Sequence, residues 1–189
     1  MRNFKLGYLR NLFEWQYWGM SLPSSGFVGR VVSLHLHPAE SEAPLTAVEE
    51  IKLVAGKGIQ DEPRYFGKIS RRTGQPSRRH VSLIEREQIA EHAVTLGLQS
   101  IAPGRVRANI ETEGIDLVHL IGKRVKIGDA ILFFYEGRTP CHQMDAICNG
   151  LRALMENNRQ GVMAEIVQSG TVRLRDMITC ENQAVGNGE

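Results

Sequence analysis

The chain has few of the features that announce common chemistries. Its 189 residues hold three cysteines, Cys141, Cys148 and Cys180, an odd number with no C-x-x-C pair. That argues against a disulfide framework and against the common zinc patterns, and it fits a reducing, cytoplasmic setting. G-x-G-x-x-G and Walker loops are absent, as is any βαβ rhythm, so a nucleotide-binding doubly wound sheet is not indicated. No apolar run is long enough for a transmembrane segment. A net charge of +2 is too small to argue by itself for nucleic acid or a membrane surface. What is present is an ordinary soluble balance, 42% hydrophobic and 23% charged. The chain is long enough to bury a core without covalent staples.

Three stretches differ in composition. Residues 1–27 form an N-terminal extension with both tryptophans, Trp15 and Trp18, and with Phe4, Tyr8, Phe13, Tyr17 and Phe27. Lys5, Arg10 and Glu14 interrupt it, so no signal-peptide core forms. Leu9, Phe13, Gln16, Tyr17 and Met20 follow helical spacing. The segment reads as an extension docked on the body, as an interfacial helix, or as an over-long start ahead of Met20. Residues 28–180 are the body, and 181–189 a polar tail.

Within the body, strands are expected at Val28–Leu36, Ile51–Ala55, Val81–Ile84, Val106–Ile110, Arg124–Ile127, Ala130–Tyr135 and Met177–Cys180. Gly128-Asp129 signals a tight hairpin, and Ser169-Gly170 a second one joining Val162–Val167 to Thr171–Leu174. Ser82 and Glu85 have capping-box spacing, which places a helix start there, with Ile89, Ala93 and Leu96 as its apolar stripe. Asp116 is set to cap a short helix over Leu117–Ile121. Met144, Ile147, Cys148, Leu151, Leu154 and Met155 predict a second helix, with Cys148 as a small core residue. Closely spaced turns favour a mainly β, mostly antiparallel barrel with a few helices.

Two features bear on chemistry. Arg138-Thr139-Pro140-Cys141-His142 follows a buried strand, so Cys141 sits on a loop that Pro140 stiffens. Arg138 and His142 would place positive charge near its sulfur, favouring thiolate, the nucleophilic and metal-binding form. The plain alternative is an inert loop cysteine. Residues 57–79 form a long polar loop with Lys57, Arg64, Lys68, Arg71, Arg72, Arg78 and Arg79 against Asp61 and Glu62. It is either a solvated surface or a cradle for an anion, since arginine forks match phosphate. Arg79, leading into a strand, is the best ordered of the set. Its scarcity of interleaved aromatics, Tyr65 and Phe66 apart, argues against nucleic acid. Asp61 orients Arg64, binds a ligand amine or caps a turn, and Asn109 bonds a ligand or a neighbouring loop. His35 and His37 alternate with Leu34 and Leu36 and read as one exposed strand face; His92 and His119 read as surface or cap residues.

An ordered set of segments resembles the MOSC domain, the module related to the C-terminal part of molybdenum cofactor sulfurases. The segments are Gly56-Lys57-Gly58-Ile59-Gln60-Asp61, Arg79-His80-Val81-Ser82-Leu83-Ile84-Glu85, Pro103-Gly104, Arg107-Ala108-Asn109-Ile110 and Gly114-Ile115-Asp116-Leu117. Gly122-Lys123-Arg124, Ile127-Gly128-Asp129, Pro140-Cys141, Gly161-Val162-Met163-Ala164-Glu165-Ile166 and Gly170-Thr171-Val172 complete it. Asp61-Glu62-Pro63-Arg64 replaces the family's compact Gly-Asp-Arg, and His80 stands where glutamine is common.

The resemblance implies a MOSC-type β-barrel over residues 28–180. It also implies a cysteine, here Cys141, that carries sulfur as a persulfide or ligates the metal of a molybdenum–pterin cofactor. Arg79, Asp61, Arg64, Asn109, Arg138 and His142 are the candidate cofactor-binding residues. The corresponding activities are a sulfur transferase, partnered by a cysteine desulfurase, or a cofactor-dependent reductase of N-hydroxylated compounds, supplied by a redox partner. Pyridoxal phosphate is not expected, since it belongs to a separate domain fused to MOSC in some proteins. The alternative from another class is a non-catalytic barrel that binds an anionic small molecule or a partner protein.

Overall fold

The computed structural model describes residues 27–181; the readings placed on residues 1–26 and 182–189 lie outside it. The strands are β1 (Phe27–Leu36), β2 (Thr46–Val48), β3 (Glu50–Val54), β4 (Gly58–Ile59), β5 (Val81–Glu85), β6 (Ile110–Glu113), β7 (Arg124–Ile127), β8 (Ala130–Gly137), β9 (Val162–Gln168), β10 (Gly170–Arg173) and β11 (Met177–Cys180). The helices are α1 (Arg86–Thr95) and α2 (Leu151–Leu154), with 3-10 turns at Val118–Leu120 and His142–Met144.

Seven strands run in the order β11-β7-β8-β9-β5-β6-β1, and β1 pairs with β11 to close the barrel. Closure removes the unpaired edges that an open sheet would expose. All the pairs are antiparallel except β5–β6. A parallel pair needs a crossover between its strands, and α1 lies in this one. β2 extends the sheet beyond β1, and β10-β3-β4 form a second, three-stranded sheet. The barrel is therefore mainly β and of mixed direction.

Alternation along the strands divides two cores. Leu34, Leu83, Ile110, Ile127, Leu132, Phe134 and Val162 fill the barrel. Ile84 faces the other way and joins Ile89, Ala93, Ile101, Val106, Met144, Leu151 and Met155 under α1. β5 is thus buried on both faces, as expected for a strand covered by a crossover helix. Each fully buried Leu, Ile or Phe contributes on the order of 1.5–3 kcal/mol relative to exposure. The β7–β8 hairpin forms as read: Ile127 pairs with Ala130, and Gly128 takes φ +55 at the first turn position. Cys148 is partly buried against the second core, and Asp116 accepts the His119 amide at 3.1 Å.

Several readings are corrected. Ser82 lies inside β5 and bonds Asn109; the helix starts only at Arg86, and Glu85 makes no capping bond. Glu85 Oε1 instead accepts the Leu117 amide at 2.8 Å. The strand read at Val106–Ile110 begins at Ile110, because Arg107 takes φ +59 and breaks extended geometry. β10 does not fold back on β9: it pairs with β3, Thr171 opposite Lys52. The helix after Cys141 is broken into a 3-10 turn and a four-residue α2, separated by Gly150 at φ +88. His35, His37 and His92 are buried at 2%, 7% and 0% exposure, because residues distant in sequence cover them.

Candidate functional site

β8 ends at Gly137, and the chain then runs through Arg138 and a buried Pro140 to an exposed Cys141. Cys141 stands on the rim of an open cavity of about 330 Å³. Its Sγ donates weakly to Gln143 Oε1 at 3.7 Å. Arg64, Arg79, Arg107 and Arg138 line the same cavity with His142, and Glu62 is the carboxylate among its lining residues. Segments far apart in sequence supply these groups: the basic loop, the residues before β6 and the residues after β8.

The arginines are fixed in different ways. Arg138 donates to three carbonyls, those of Gln160, Val106 and Arg107, at 3.2, 3.3 and 3.1 Å. Burial pushes its pKa down to about 10, the charge of Arg79 adds to that, and Cys141 acts in the opposite sense. Burial also lowers the pKa of Arg107, reinforced by Arg64 and again opposed by Cys141. The two guanidinium groups and the thiol therefore lie within electrostatic reach of one another. Arg107 and Arg64 both donate to the carbonyl of Ser41, at 3.0 and 2.9 Å, and Arg107 also reaches Ala43.

The remaining lining side chains are mostly neutral, with Glu62 the carboxylate among them. Glu62 is 1% exposed, and its Oε1 accepts the His37 amide at 3.0 Å, His37 Nδ1 at 2.6 Å and Asn109 Nδ2 at 3.0 Å. Asn109 Oδ1 accepts Ser82 Oγ at 2.8 Å. His80 Nδ1 accepts the Ile166 amide at 3.0 Å, so the ring is neutral; burial lowers its pKa in the same direction. Tyr65 stands edge-on to His37, ring centres 5.2 Å apart, with the Arg64 guanidinium 5.3 Å from its own centre.

The MOSC domain model matches residues 62–179, more than half of the chain. The chain belongs to the MOSC domain family. Among solved structures, YuaD from Bacillus subtilis is 19% identical with a TM-score of 0.66, covering 79% of this chain and 93% of its own. YiiM from Escherichia coli is 17% identical with a TM-score of 0.59, covering 82% and 70%. YiiM from Geobacillus stearothermophilus is 14% identical with a TM-score of 0.58, covering 84% and 77%. At these identities the likeness concerns the fold. No curated protein was found to match the chain.

Of the residues singled out from sequence, this MOSC domain brings Arg64, Arg79, Asn109, Arg138, Cys141 and His142 to one cavity. Asp61 is not among the lining residues: it is exposed, in a turn at φ +66, and the next residue, Glu62, points inward instead. Sequence reasoning missed His37, Glu62 and Arg107. His37 reads as part of an exposed strand face and Glu62 only as one of two acids in a basic loop, and neither carries a local signal of burial. Arg107 stood in the resemblance, but without a role. Among the described residues no three His, Cys, Asp or Glu side chains cluster as a metal site. No helix there is long and apolar enough to cross a membrane.

Proposed function

We propose that this MOSC domain holds a molybdenum–pterin cofactor in the Cys141 cavity. The observation that carries the reading is one exposed thiol on the rim of a cavity lined by four arginines. The donor set fits such a group. Guanidinium forks match the oxygens of a phosphate, and soft thiolate suits the metal. Cys141 would be the protein's thiolate ligand to the metal. When bound, the group would supply two-electron redox chemistry. Arg64, Arg79 and Arg107 would bind its anionic end, Arg138 would hold positive charge behind the thiol, and Asn109 would hold Glu62 in place. The resemblance to the family then implies, as the activity, a reductase of N-hydroxylated compounds fed by a redox partner.

The exposure of Cys141 favours a second reading, sulfur carriage. Its thiolate attacks the sulfane sulfur of a desulfurase persulfide; the donor S–S bond breaks, the donor thiolate leaves, and a persulfide forms on Cys141. Elemental and intact-mass analysis of protein from a cofactor-producing host tests both. Molybdenum near one equivalent, lost in Cys141→Ala, supports the first reading. A gain of one sulfur on Cys141 after incubation with a desulfurase and cysteine supports the second. Neither outcome leaves a non-catalytic barrel that binds an anionic ligand or a partner protein.

A further inference from the structure

The cavity holds a second chemical feature besides its arginines. His37 follows β1, and its Nδ1 lies 2.6 Å from Glu62 Oε1, with the His37 amide on the same oxygen. Asn109 Nδ2 donates to that oxygen too, so Glu62 is held in place by three donors. Both side chains are nearly sealed, 9% and 1% exposed. In the neutral ring a carboxylate at Nδ1 fixes that nitrogen as the N–H and leaves Nε2 as the bare one. Nε2 has no protein partner among the described residues, yet it is not among the atoms sealed from solvent without one. His37 lines the cavity, and we take this unsealed Nε2 to open there.

This is the arrangement a proton carrier requires. A base is oriented by a buried carboxylate, and its free nitrogen faces the space where a ligand sits. We propose that His37, oriented by Glu62, accepts and returns protons in the Cys141 cavity. Nε2 takes a proton from a donor in the cavity, Glu62 remains ionised, and the imidazolium is held against it until the proton is given back. The proposal rests on the function argued above. Either chemistry there moves protons: a thiol must lose one, and a departing hydroxyl must gain one.

The groups facing His37 are few. Glu62 and Tyr65 come from the basic loop, with Arg64 and Lys68 against the Tyr65 ring; His35 lies two residues back on β1 and interacts electrostatically with His37. Asn109, from the residues before β6, is neutral. Its Nδ2 lies 3.2 Å from His37 Nδ1 but donates to Glu62 and to the His35 carbonyl.

His37→Asn is the discriminating variant, because its side-chain amide replaces the Nδ1–H toward Glu62 and removes only the nitrogen that faces the cavity. The first measurement needs no cofactor: histidine-selective 15N labelling and long-range NMR on the unloaded protein. The expected result is His37 with Nδ1 protonated and Nε2 bare, its Nε2 signal moving on addition of inorganic phosphate; Glu62→Gln should mix the tautomers. A protonated Nε2 in the unmodified protein, or a signal indifferent to phosphate, would overturn the proposal. The second uses loaded protein. His37→Asn should retain molybdenum, or the Cys141 persulfide, at the unmodified level while turnover of an N-hydroxylated amidine, or sulfur release to a thiol acceptor, falls about 10²- to 10⁴-fold. Unchanged turnover overturns it. If the unmodified protein takes up neither molybdenum nor sulfur, the reading of function fails, and the NMR result judges the His37–Glu62 geometry separately.

Discussion

Ser82 and Asn109 grip each other from adjacent strand ends. Asn109 Oδ1 accepts Ser82 Oγ at 2.8 Å and the Ser82 amide at 3.1 Å, while Ser82 Oγ lies 3.1 Å from the Asn109 amide. Asn109 Nδ2 then passes the chain of bonds to Glu62 and the His35 carbonyl. One amide group thus ties the parallel β5–β6 junction to the cavity wall, using both its acceptor and its donor.

Asn109→Asp should show how much this depends on the donor. The change is isosteric, but it sets a second carboxylate against buried Glu62 and removes the hydrogen bond that separated them. A buried acceptor left unpaired costs about 1–3 kcal/mol, more when charged. The expected loss at neutral pH is therefore about 2–4 kcal/mol in urea denaturation. Two carboxylates sharing a site raise one pKa, so the native state would hold an extra proton. Relative to the unmodified protein, stability should recover as the pH falls toward the carboxylate range. A pH-independent deficit would show that the loss is one of shape alone.

The two glycines Gly161 and Gly122 separate steric from conformational cost. Both have positive φ, +79 and +86. A Cβ on Gly161 would run into the Leu83 carbonyl oxygen, whereas one on Gly122 meets nothing within 4 Å. Gly122→Ala should cost about 1 kcal/mol from backbone conformation. Gly161→Ala must also push β5 away from β9, and a loss above about 4 kcal/mol, or failure to fold, is expected. Equal denaturation midpoints for the two variants would contradict the packing described.

Much of the barrel was legible because strand alternation and two-residue turns are local properties. β7, β8 and their hairpin can be read from Arg124 to Tyr135 without knowing anything else. β10 could not be placed the same way. Ser169-Gly170 does turn the chain, but Ser169 Oγ accepts the Ala55 amide at 2.9 Å, and the strand goes to β3. Ser82 and Glu85 show the same limit: the capping spacing is present, yet Asn109 and the Leu117 amide take the two side chains. At the site, arginines and a cysteine on loops announce themselves by composition. His37 does not, because its role comes from Glu62 and Asn109, which reach it only after the barrel closes.

Loop 38–45 is fastened mainly by side chains of the cavity. The Ser41 carbonyl accepts Arg64, Arg107 and Gln143 at 2.9, 3.0 and 3.2 Å, and Ala43 accepts Arg107 at 2.9 Å. Removing Arg107 leaves two bonds of four. Arg107→Ala should raise amide hydrogen exchange across residues 38–45 several-fold while leaving β1 and β5 unchanged. Exchange unaltered in the loop would mean that it is held by something other than these carbonyls.

Acid should weaken the fold through three buried histidines. Burial is the leading cause of a lowered pKa at His35, His80 and His92. Each also lacks a place for a second proton. His80 Nδ1 already accepts the Ile166 amide, His92 Nε2 binds the Arg159 carbonyl while its Nδ1 is sealed, and His35 Nδ1 is sealed without a partner. Below about pH 6.5 the unfolded chain binds these protons and the native state does not. Stability therefore rises with pH in that window and is lost as pH falls toward the depressed native values. Each such proton is worth at most about 1.4 kcal/mol per pH unit, so the slope has an upper bound near 4 kcal/mol per pH unit. Glu85 runs against this, since burial raises its pKa and acid then favours the native state, which flattens the lower end. Urea denaturation between pH 5 and 7.5 measures the slope. His80→Gln keeps an acceptor for the Ile166 amide but cannot titrate, and it should reduce the slope by one proton. An unchanged slope would mean that His80 is already protonated in the native state, which its bond to Ile166 forbids.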